Sequence, residues 1–144
     1  MIELINTTVQ TVPAGQSVVY NATAVGSSCG RERHREGSAF VTLLPPGRYL
    51  VSFSANIAVP AGETVGEISL GITQDGEVLG GSLMRVTPAA VEQYFNVSTQ
   101  HYVDTYRSCC VNVGVENTSG IPILVDNPNI TVDDTNNKNV RVCG

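Results

Sequence analysis

The chain has 144 residues and a formal net charge of −5, with 42% hydrophobic and only 15% charged residues. This length suits one compact domain over residues 1–144, and the low charge argues against nucleic acid as a partner, because such affinity comes mostly from clustered lysine and arginine. Valine (21), isoleucine (8) and threonine (13) together supply 42 residues, while 14 glycines and 7 prolines are spread along the chain. β-branched residues favour strands and glycine and proline favour turns, so this balance predicts an all-β fold.

The first part of the chain predicts a hairpin followed by a charged loop. Residues 2–12 and 17–25 are typical of short strands, and residues 13–16 between them are rich in turn formers. Residues 26–38 carry charged side chains of both signs without apolar periodicity. We therefore expect an exposed charged loop over 26–38.

The clearest strand pattern follows a proline-rich turn. Residues 39–44 form a short strand pattern that ends at residues 45–47, because two consecutive prolines cannot lie inside a paired strand. Residues 48–59 then alternate with period two. The face expected to point inward consists of Tyr49, Val51, Phe53, Ala55 and Ile57.

A second hairpin is expected in the middle of the chain. Residues 68–73 alternate apolar and polar side chains up to Asp75-Gly76. This dipeptide is typical of two-residue type I′ turns. Residues 77–85 are therefore expected to pair back antiparallel.

The second half of the chain adds one helical turn and more strands. A threonine followed by proline predicts a single helical turn over residues 87–92. Further strand patterns occupy residues 95–103, 111–115 and 121–132, and the polar run 133–144 is expected to be a loose tail. A total of roughly eight to ten short strands favours a two-sheet antiparallel sandwich of jelly-roll or related topology.

Few side chains suit catalysis. The chain has two histidines, and His101 falls on the apolar face of a strand, where a partly buried histidine bonded to backbone is expected rather than a general base. No closely spaced histidines accompany a carboxylate, as a metal-dependent β-barrel enzyme would require. The sequence therefore predicts a protein that is not an enzyme, with no catalytic residue, no cofactor and no metal.

The cysteines favour thiols or disulfides over a zinc site. Zinc sites usually contain two close cysteine pairs, whereas this chain has one adjacent pair. A zinc site that also uses His34 is the less favoured alternative. The candidates for free thiols or for one or two disulfides are Cys29, Cys109, Cys110 and Cys143.

Two sets of polar and aromatic side chains are candidate contact residues. Alternating guanidinium and carboxylate groups form bidentate pairs across interfaces, although a solvated loop is an equal alternative. This first set, the charged segment, consists of Arg31, Arg33, His34, Arg35 and Glu36. The second set is a candidate aromatic platform for a glycan and consists of Tyr94, Tyr102 and Tyr106.

Residues 46–53, together with the Asp75-Gly76 hairpin, resemble the central strands of the C1q/TNF-like jelly roll. The resemblance covers about forty residues. It implies a compact homotrimer, because such domains pack inner-sheet edges about a threefold axis. It also implies a binding or display role, since bacterial and phage versions cap fibres or decorate surfaces.

A second resemblance spans most of the chain. Residues 34–37, 56–60, 87–98 and 109–110 are similar to segments of small proteins encoded by phages and prophages of gut Firmicutes. This resemblance implies a virion protein, such as a head fibre or a capsid or tail decoration, with other virion proteins as partners. It supplies no catalytic site.

These observations lead to a functional expectation. We expect a non-enzymatic structural and binding protein of a phage particle that acts as a trimeric jelly roll. The alternative is a carbohydrate-binding module that recognises a cell-surface glycan. No apolar run or secretion signal is evident, so we expect synthesis in the host cytoplasm and no membrane insertion. Location in the virion is what the resemblance to phage-encoded proteins implies.

Overall fold

A computed structural model of the protein describes residues 1–27, 30–105 and 110–135. Within these ranges the chain forms twelve strands and one short 3₁₀ turn, which confirms the all-β fold class. The elements are β1 (Ile2–Ile5), β2 (Gln10–Val12), β3 (Ala22–Val25), β4 (Glu32–Arg33), β5 (Val41–Leu43), β6 (Gly47–Ala58), β7 (Ile68–Gln74), β8 (Glu77–Val78), the 3₁₀ turn (Gly80–Ser82), β9 (Met84–Val86), β10 (Phe95–Thr105), β11 (Val111–Asn117) and β12 (Ile123–Asp134).

The strands form two six-stranded antiparallel sheets, as the sandwich prediction requires. The first sheet has the order β10-β6-β12-β1-β3, and β2 also pairs with β12. The second sheet has the order β4-β5-β11-β7-β8, and β9 also pairs with β7. Strands from both ends of the chain meet in the first sheet, where Ile2 lies opposite Val132.

The hydrophobic core takes side chains from both sheets. The five residues of β6 that were expected to point inward, from Tyr49 to Ile57, are all at most 2% exposed. The facing sheet contributes Ile72 and Val115, and the neighbouring strand β12 contributes Ile130, all of them fully buried. Because burial of each such side chain contributes about 1.5–3 kcal/mol, the period-two alternation of these strands is the main source of the fold's stability.

The Asp75-Gly76 turn has the expected conformation. Gln74 pairs with Glu77, so the connection has two residues. Asp75 has a φ of 52° and Gly76 a φ of 85°, and a type I′ turn requires both values to be positive. The returning chain pairs with β7 in two pieces, β8 and β9, because the 3₁₀ turn interrupts residues 77–85.

The prediction of a helical turn over residues 87–92 is wrong. Pro88 is buried, and Glu92 has a φ of 58°, which is incompatible with a right-handed helix. The Glu92 N–H donates at 2.7 Å to the carbonyl of Val59, just after β6, rather than to a carbonyl of its own turn. No helix within the described ranges is long and apolar enough to cross a membrane.

Three other boundaries differ from the expectation. Residues 2–12 form two strands rather than one, and β2 pairs with β12 instead of completing a hairpin with residues 17–25. The expected charged loop over 26–38 contains β4, in which Glu32 is buried and pairs across to Leu43. The expected loose tail begins too early, because residues 133 and 134 belong to β12. Residues 136–144 lie outside the described ranges.

Candidate functional site

Two rows of uncharged side chains lie on the outer side of the first sheet. In the ladder β10-β6-β12, Ser98 lies opposite Ser54, which lies opposite Asn129. The next row, two residues along, is Gln100, Ser52 and Thr131. We call these two rows the polar face, which consists of Ser52, Ser54, Ser98, Gln100, Asn129 and Thr131. All six side chains are half-buried or exposed, and none carries a formal charge.

The polar face contains a shallow concavity of about 420 Å³, lined mainly by serine, glutamine and asparagine side chains. Asn129 is fixed at its edge because its side-chain amide donates to the Glu3 carboxylate at 2.8 Å. At one end of the ladder, Arg48 donates to both carboxylate oxygens of Asp104, at 2.6 and 3.0 Å. The charged groups therefore lie around the polar face rather than within it.

Aromatic side chains lie at the two ends of β10. Tyr102 is 57% exposed and Tyr94 is 41% exposed. The two tyrosines are eight positions apart along an extended chain, a separation of about 26 Å at a rise of ~3.3 Å per residue. The structure therefore does not bring Tyr94 and Tyr102 together as one platform, and Tyr106 lies outside the described residues.

The surroundings of the two described tyrosines also differ. Burial, and then the carboxylates of Asp126 and Glu92, raise the pKa of Tyr94, because each disfavours the phenolate. Tyr102 lies beside the Arg48 guanidinium, whose carbon is 5.9 Å from the ring centroid. Tyr94 therefore lies near two carboxylates, whereas Tyr102 lies beside a cation. A glycan bound at one end of β10 would meet different groups from a glycan bound at the other end.

Within the charged segment, Arg31 is engaged by its own chain. Its Nε donates to Asp134 at 2.7 Å, and its Nη2 donates to the carbonyls of Leu44 and Pro46. Its guanidinium lies 5.9 Å from the Tyr49 ring centroid. These contacts join β4, the turn before β6 and the end of β12, so the Arg31 side chain has a structural role.

The pKa values around Arg31 reflect this environment. Burial opposes the charge of Arg31, but Tyr49 and Asp134 outweigh it and raise the pKa of the guanidinium. Burial also raises the pKa of Tyr49, against the opposing effect of Arg31. Arg31 therefore stays charged and Tyr49 stays neutral at physiological pH.

The neighbouring charged residues divide into buried and exposed groups. The Glu32 side chain is only 2% exposed; its carboxylate accepts from Ser27 Oγ at 2.6 Å and lies 3.1 Å from the amino group of Met1. His34 is half-buried, and its Nε2 donates to the carbonyl of Ser38 at 2.9 Å. Arg33, Arg35 and Glu36 are exposed, so the prediction of a partner contact stays open at these three side chains.

The described residues carry little metal or redox chemistry. Among them, no group of three His, Cys, Asp or Glu side chains is arranged to hold a metal ion. Cys110 is half-buried, and Cys29, Cys109 and Cys143 lie outside the described ranges. His101 is half-buried and its Nδ1 donates to the carbonyl of Tyr102 at 2.7 Å, the backbone contact expected from the sequence.

A second concavity, of about 270 Å³, lies on the outer side of the second sheet. Its lining includes Phe40 just before β5, Thr73 from β7 and Glu116 from β11. None of these residues was a candidate from the sequence. The signal that points to this place is Gly114, which stands between two valines inside β11, since a glycine within a strand often marks a close approach.

Two facing antiparallel sheets with this strand order define the class of protein as a β-sandwich of the C1q/TNF-like jelly-roll type. Three solved structures illustrate the likeness. The TNF protein Eiger from S. frugiperda is 10% identical over 93% of this chain and 91% of its own, with a TM-score of 0.67. The globular domain of zebrafish complement 1qA protein is 14% identical over 90% and 94%, with a TM-score of 0.65. Murine APRIL is 8% identical over 92% and 96%, with a TM-score of 0.62.

At these identities the likeness concerns the fold. The sequence itself matches no protein-family model and no curated protein. The chain therefore has the architecture of these domains, and its function has to be argued from its own surfaces.

Proposed function

We propose that this protein is a non-enzymatic binding protein of a phage particle, such as a head fibre or a surface decoration, and that it acts as a homotrimer through the polar face. The observation that carries the proposal is the pair of uncharged rows that form the polar face on β10, β6 and β12. The jelly-roll fold supports it, because the C1q/TNF-like resemblance implies packing about a threefold axis. Similarity of segments such as residues 34–37 and 87–98 to phage-encoded proteins supports the location on a virion.

The composition of the polar face favours contact with a protein surface. Burying a charged side chain carries a desolvation cost of several kcal/mol, and the two central rows contain none. Ser52, Ser54 and Ser98 also lose little side-chain entropy on becoming ordered. Hydroxyl and amide groups both donate and accept, so equivalent rows from symmetry-related copies can satisfy one another. The Arg48–Asp104 pair at the end of the ladder adds a polar rim, as protein interfaces commonly have.

The native mass in solution tests the trimer. We expect a species near three times 15.2 kDa by light scattering at micromolar concentration, unchanged by reductant. Ser98→Arg places a charge in the polar face and is expected to give a monomer, while the exposed loop substitution Thr64→Arg is the matched control and leaves the trimer intact. A parent protein that is monomeric refutes the trimer, and a trimer that survives Ser98→Arg refutes the assignment of its interface.

The virion location has its own test. Antibodies against the purified protein, applied to particles of a phage that encodes this chain, are expected to label the capsid or fibre surface in electron micrographs. Absence of the protein from purified particles, despite expression in the infected cell, refutes a virion role and leaves the trimer result unaffected.

Recognition of a cell-surface glycan is the second candidate function, and the 57% exposed ring of Tyr102 is the observation that favours it at the end of β10. A glycan array probed with the parent and with Tyr102→Ala is the test. Binding that is lost in the variant supports contact through this ring. Binding that persists in the variant excludes Tyr102 as the contact, and an array without signal removes this candidate.

A further inference from the structure

Several connections between strands meet at one end of the sandwich. In the first sheet β6 ends where β10 begins, since Ile57 pairs with Phe95, and β12 begins there as well. In the second sheet β7 begins where β9 and β11 end. The connections that join these strands therefore share this end of the molecule, which we call the acidic end. They are residues 59–67, 87–94 and 118–122.

The acidic end carries carboxylates and lacks cationic side chains. The three connections contain Glu63, Glu67 and Glu92, Asp126 lies near the start of β12, and none of the three contains lysine, arginine or histidine. Arg85 of β9 lies 4.0 Å from Glu67, but both side chains are more than 60% exposed, and ion pairs this exposed are weak. Glu92 and Asp126 take part in no ion pair within the described part of the chain. This end therefore favours a cationic partner.

The connection before β10 adds exposed apolar side chains to this charge. All eight residues from 89 to 96 are exposed. Val91, Tyr94 and Phe95 are 38%, 41% and 37% exposed, and they supply three of the nine large apolar residues that are exposed in the described part of the chain. Clustered apolar side chains with a polar surround are typical of protein interaction sites. We call residues 89–95 the apolar loop.

Hydrogen bonds hold the apolar loop in one conformation. Pro88 is buried and anchors its start, and the side-chain carbonyl of Gln93 accepts from the Ala89 N–H at 3.0 Å. The Glu92 N–H donates to the carbonyl of Val59 at 2.7 Å. Glu92 itself has a φ of 58°, which is rare for a residue other than glycine. Such conformations persist only where the surroundings enforce them, and a loop ordered in advance loses little entropy on binding.

Threefold symmetry would present three copies of the apolar loop together. In a cyclic trimer, equivalent residues of the three subunits lie at the same height along the axis. Three loops can therefore contact one surface at the same time, and such simultaneous contacts strengthen attachment without any new kind of contact. The loop precedes β10 and lies beyond the two rows of the polar face, so trimer packing and attachment can occur together.

We propose that the apolar loop attaches the protein to the phage particle by packing against a virion protein whose surface has arginine or lysine around an apolar centre. Val91, Tyr94 and Phe95 pack on the apolar centre, and Glu92 and Asp126 pair with the surrounding cations. This inference rests on the proposed virion location and adds the surface through which the protein is attached. An anionic partner is disfavoured, because it would bring like charges together.

Rebinding to particles that lack this chain tests the attachment. Particles are purified from a phage that encodes the chain after deletion of its gene, purified protein is added, and the bound fraction is measured by sedimentation and immunoblotting. We expect saturable binding of the parent. The affinity is expected to fall at least ten-fold between ~50 and ~500 mM NaCl, because salt screens charge pairs at the rim of an interface.

One pair of variants tests the aromatic contact. Tyr94→Ala is expected to weaken binding at least ten-fold, because aromatic side chains near the centre of an interface often dominate its affinity. Phe40→Ala is the matched control, since Phe40 is also 41% exposed but lies on the second sheet, and it is expected to bind like the parent.

A second pair of variants tests the charge. The double variant Glu92→Gln/Asp126→Asn keeps the side-chain shapes and is expected to bind about ten-fold more weakly at ~50 mM NaCl, with a smaller dependence on salt. Glu77→Gln/Asp133→Asn is the matched control. It removes the same two charges from exposed positions at the opposite end of the sandwich and is expected to bind like the parent.

The outcomes separate this inference from the trimer and from the virion location. Parent protein that does not bind the particles overturns the attachment and leaves the native mass unaffected. Parent protein that binds while Tyr94→Ala and the loop double variant bind equally well overturns the role of the loop and leaves the virion location standing. The native mass of each variant is measured alongside, and a Tyr94→Ala protein that is no longer trimeric assigns the loop to subunit packing and also overturns the attachment.

Discussion

Two fully buried tyrosines differ in the hydrogen bonding of their hydroxyl groups, and this difference predicts opposite effects of the same substitution. Tyr20 and Tyr49 are both 0% exposed. The Tyr49 hydroxyl donates to the carbonyl of Leu44 at 2.7 Å. The Tyr20 hydroxyl has no hydrogen-bond partner among the described residues, and its ring meets His34 edge-on at a centroid distance of 6.2 Å. Replacement by phenylalanine therefore removes a bond in one case and an unpaired polar atom in the other.

At neutral pH the two variants are expected to move the free energy of unfolding in opposite directions. Tyr20→Phe removes a buried hydroxyl that has lost its hydration without compensation, so we expect it to stabilise the protein by about 1 kcal/mol. Tyr49→Phe removes a hydrogen bond and is expected to destabilise by about 1 kcal/mol. This destabilisation is at the lower end of the range for leaving a buried acceptor without its donor, because the Leu44 carbonyl also accepts a hydrogen bond from Arg31.

The pH dependence supplies an independent check on Tyr20. Burial raises the pKa of Tyr20 far above its usual value near 10, so the folded state keeps this phenol neutral. The unfolded chain releases the proton as pH rises above about 10, and the stability present below that pH is then lost at up to ~1.4 kcal/mol per pH unit. Tyr20→Phe lacks this loss, so its stability is expected to fall less steeply than that of the parent above pH 10.

Guanidinium denaturation at pH 7 and at several values between pH 9.5 and 11 measures both effects. Tyr49→Phe is the matched control, since it removes the same atom from a paired site. A Tyr20→Phe variant that is less stable than the parent by more than ~1 kcal/mol at pH 7 would refute the reasoning, because it would show that the hydroxyl makes a favourable bond. A free energy of unfolding that falls with pH above 10 as steeply in Tyr20→Phe as in the parent would also contradict the reasoning.

The same denaturation assay checks three further predictions. Arg31→Met and Asp134→Asn are each expected to cost about 2–3 kcal/mol, and a double-mutant cycle should give a coupling above ~1 kcal/mol; additive effects would contradict the internal ion pair. Gly71→Ala is expected to cost about 1–3 kcal/mol, because its Cβ would lie 2.8 Å from a methyl of Val78, whereas Gly120→Ala, with open space around it, is nearly neutral. Ser82→Ala removes the acceptor of a buried N–H in β7 and is expected to cost about 1–3 kcal/mol; a change under ~0.5 kcal/mol would contradict that role.

Local pattern was sufficient for the parts of the fold that depend on neighbours in sequence. Alternation placed the inward face of β6 correctly, and the Asp75-Gly76 dipeptide placed its turn correctly, because both signals arise from a few adjacent residues. Residues 87–92 show the limit of such signals. Thr87 and Pro88 do match a helix-capping pattern. The Glu92 N–H nevertheless donates to the carbonyl of Val59, about thirty positions earlier in the chain, and no local pattern indicates that contact.

The surfaces that matter for function were harder to anticipate. Arg31 is a candidate for partner contact from the sequence, and the structure adds an ion pair with Asp134, which lies 103 positions away and which no local pattern indicates. The second concavity likewise combines Phe40, which precedes β5, with Thr73 of β7 and Glu116 of β11, three positions that only the sheet order brings together. Gly114 interrupts a pattern of valines in the sequence, but nothing in the sequence indicates that the Phe40 ring packs against it.

The position of β12 in the first sheet has a consequence for how the chain folds. This last strand lies between β6 and β1 and also pairs with β2, so β1 and β2 gain their places beside it only after about 110 further residues are available. High sequence separation between paired strands slows folding, typically to the range of milliseconds to seconds. Until β12 docks, the long edge of β6 carries unpaired backbone groups that can pair with another chain. Assembly of this protein is therefore expected to compete with aggregation, and the competition is decided by how quickly the final strand closes the sheet.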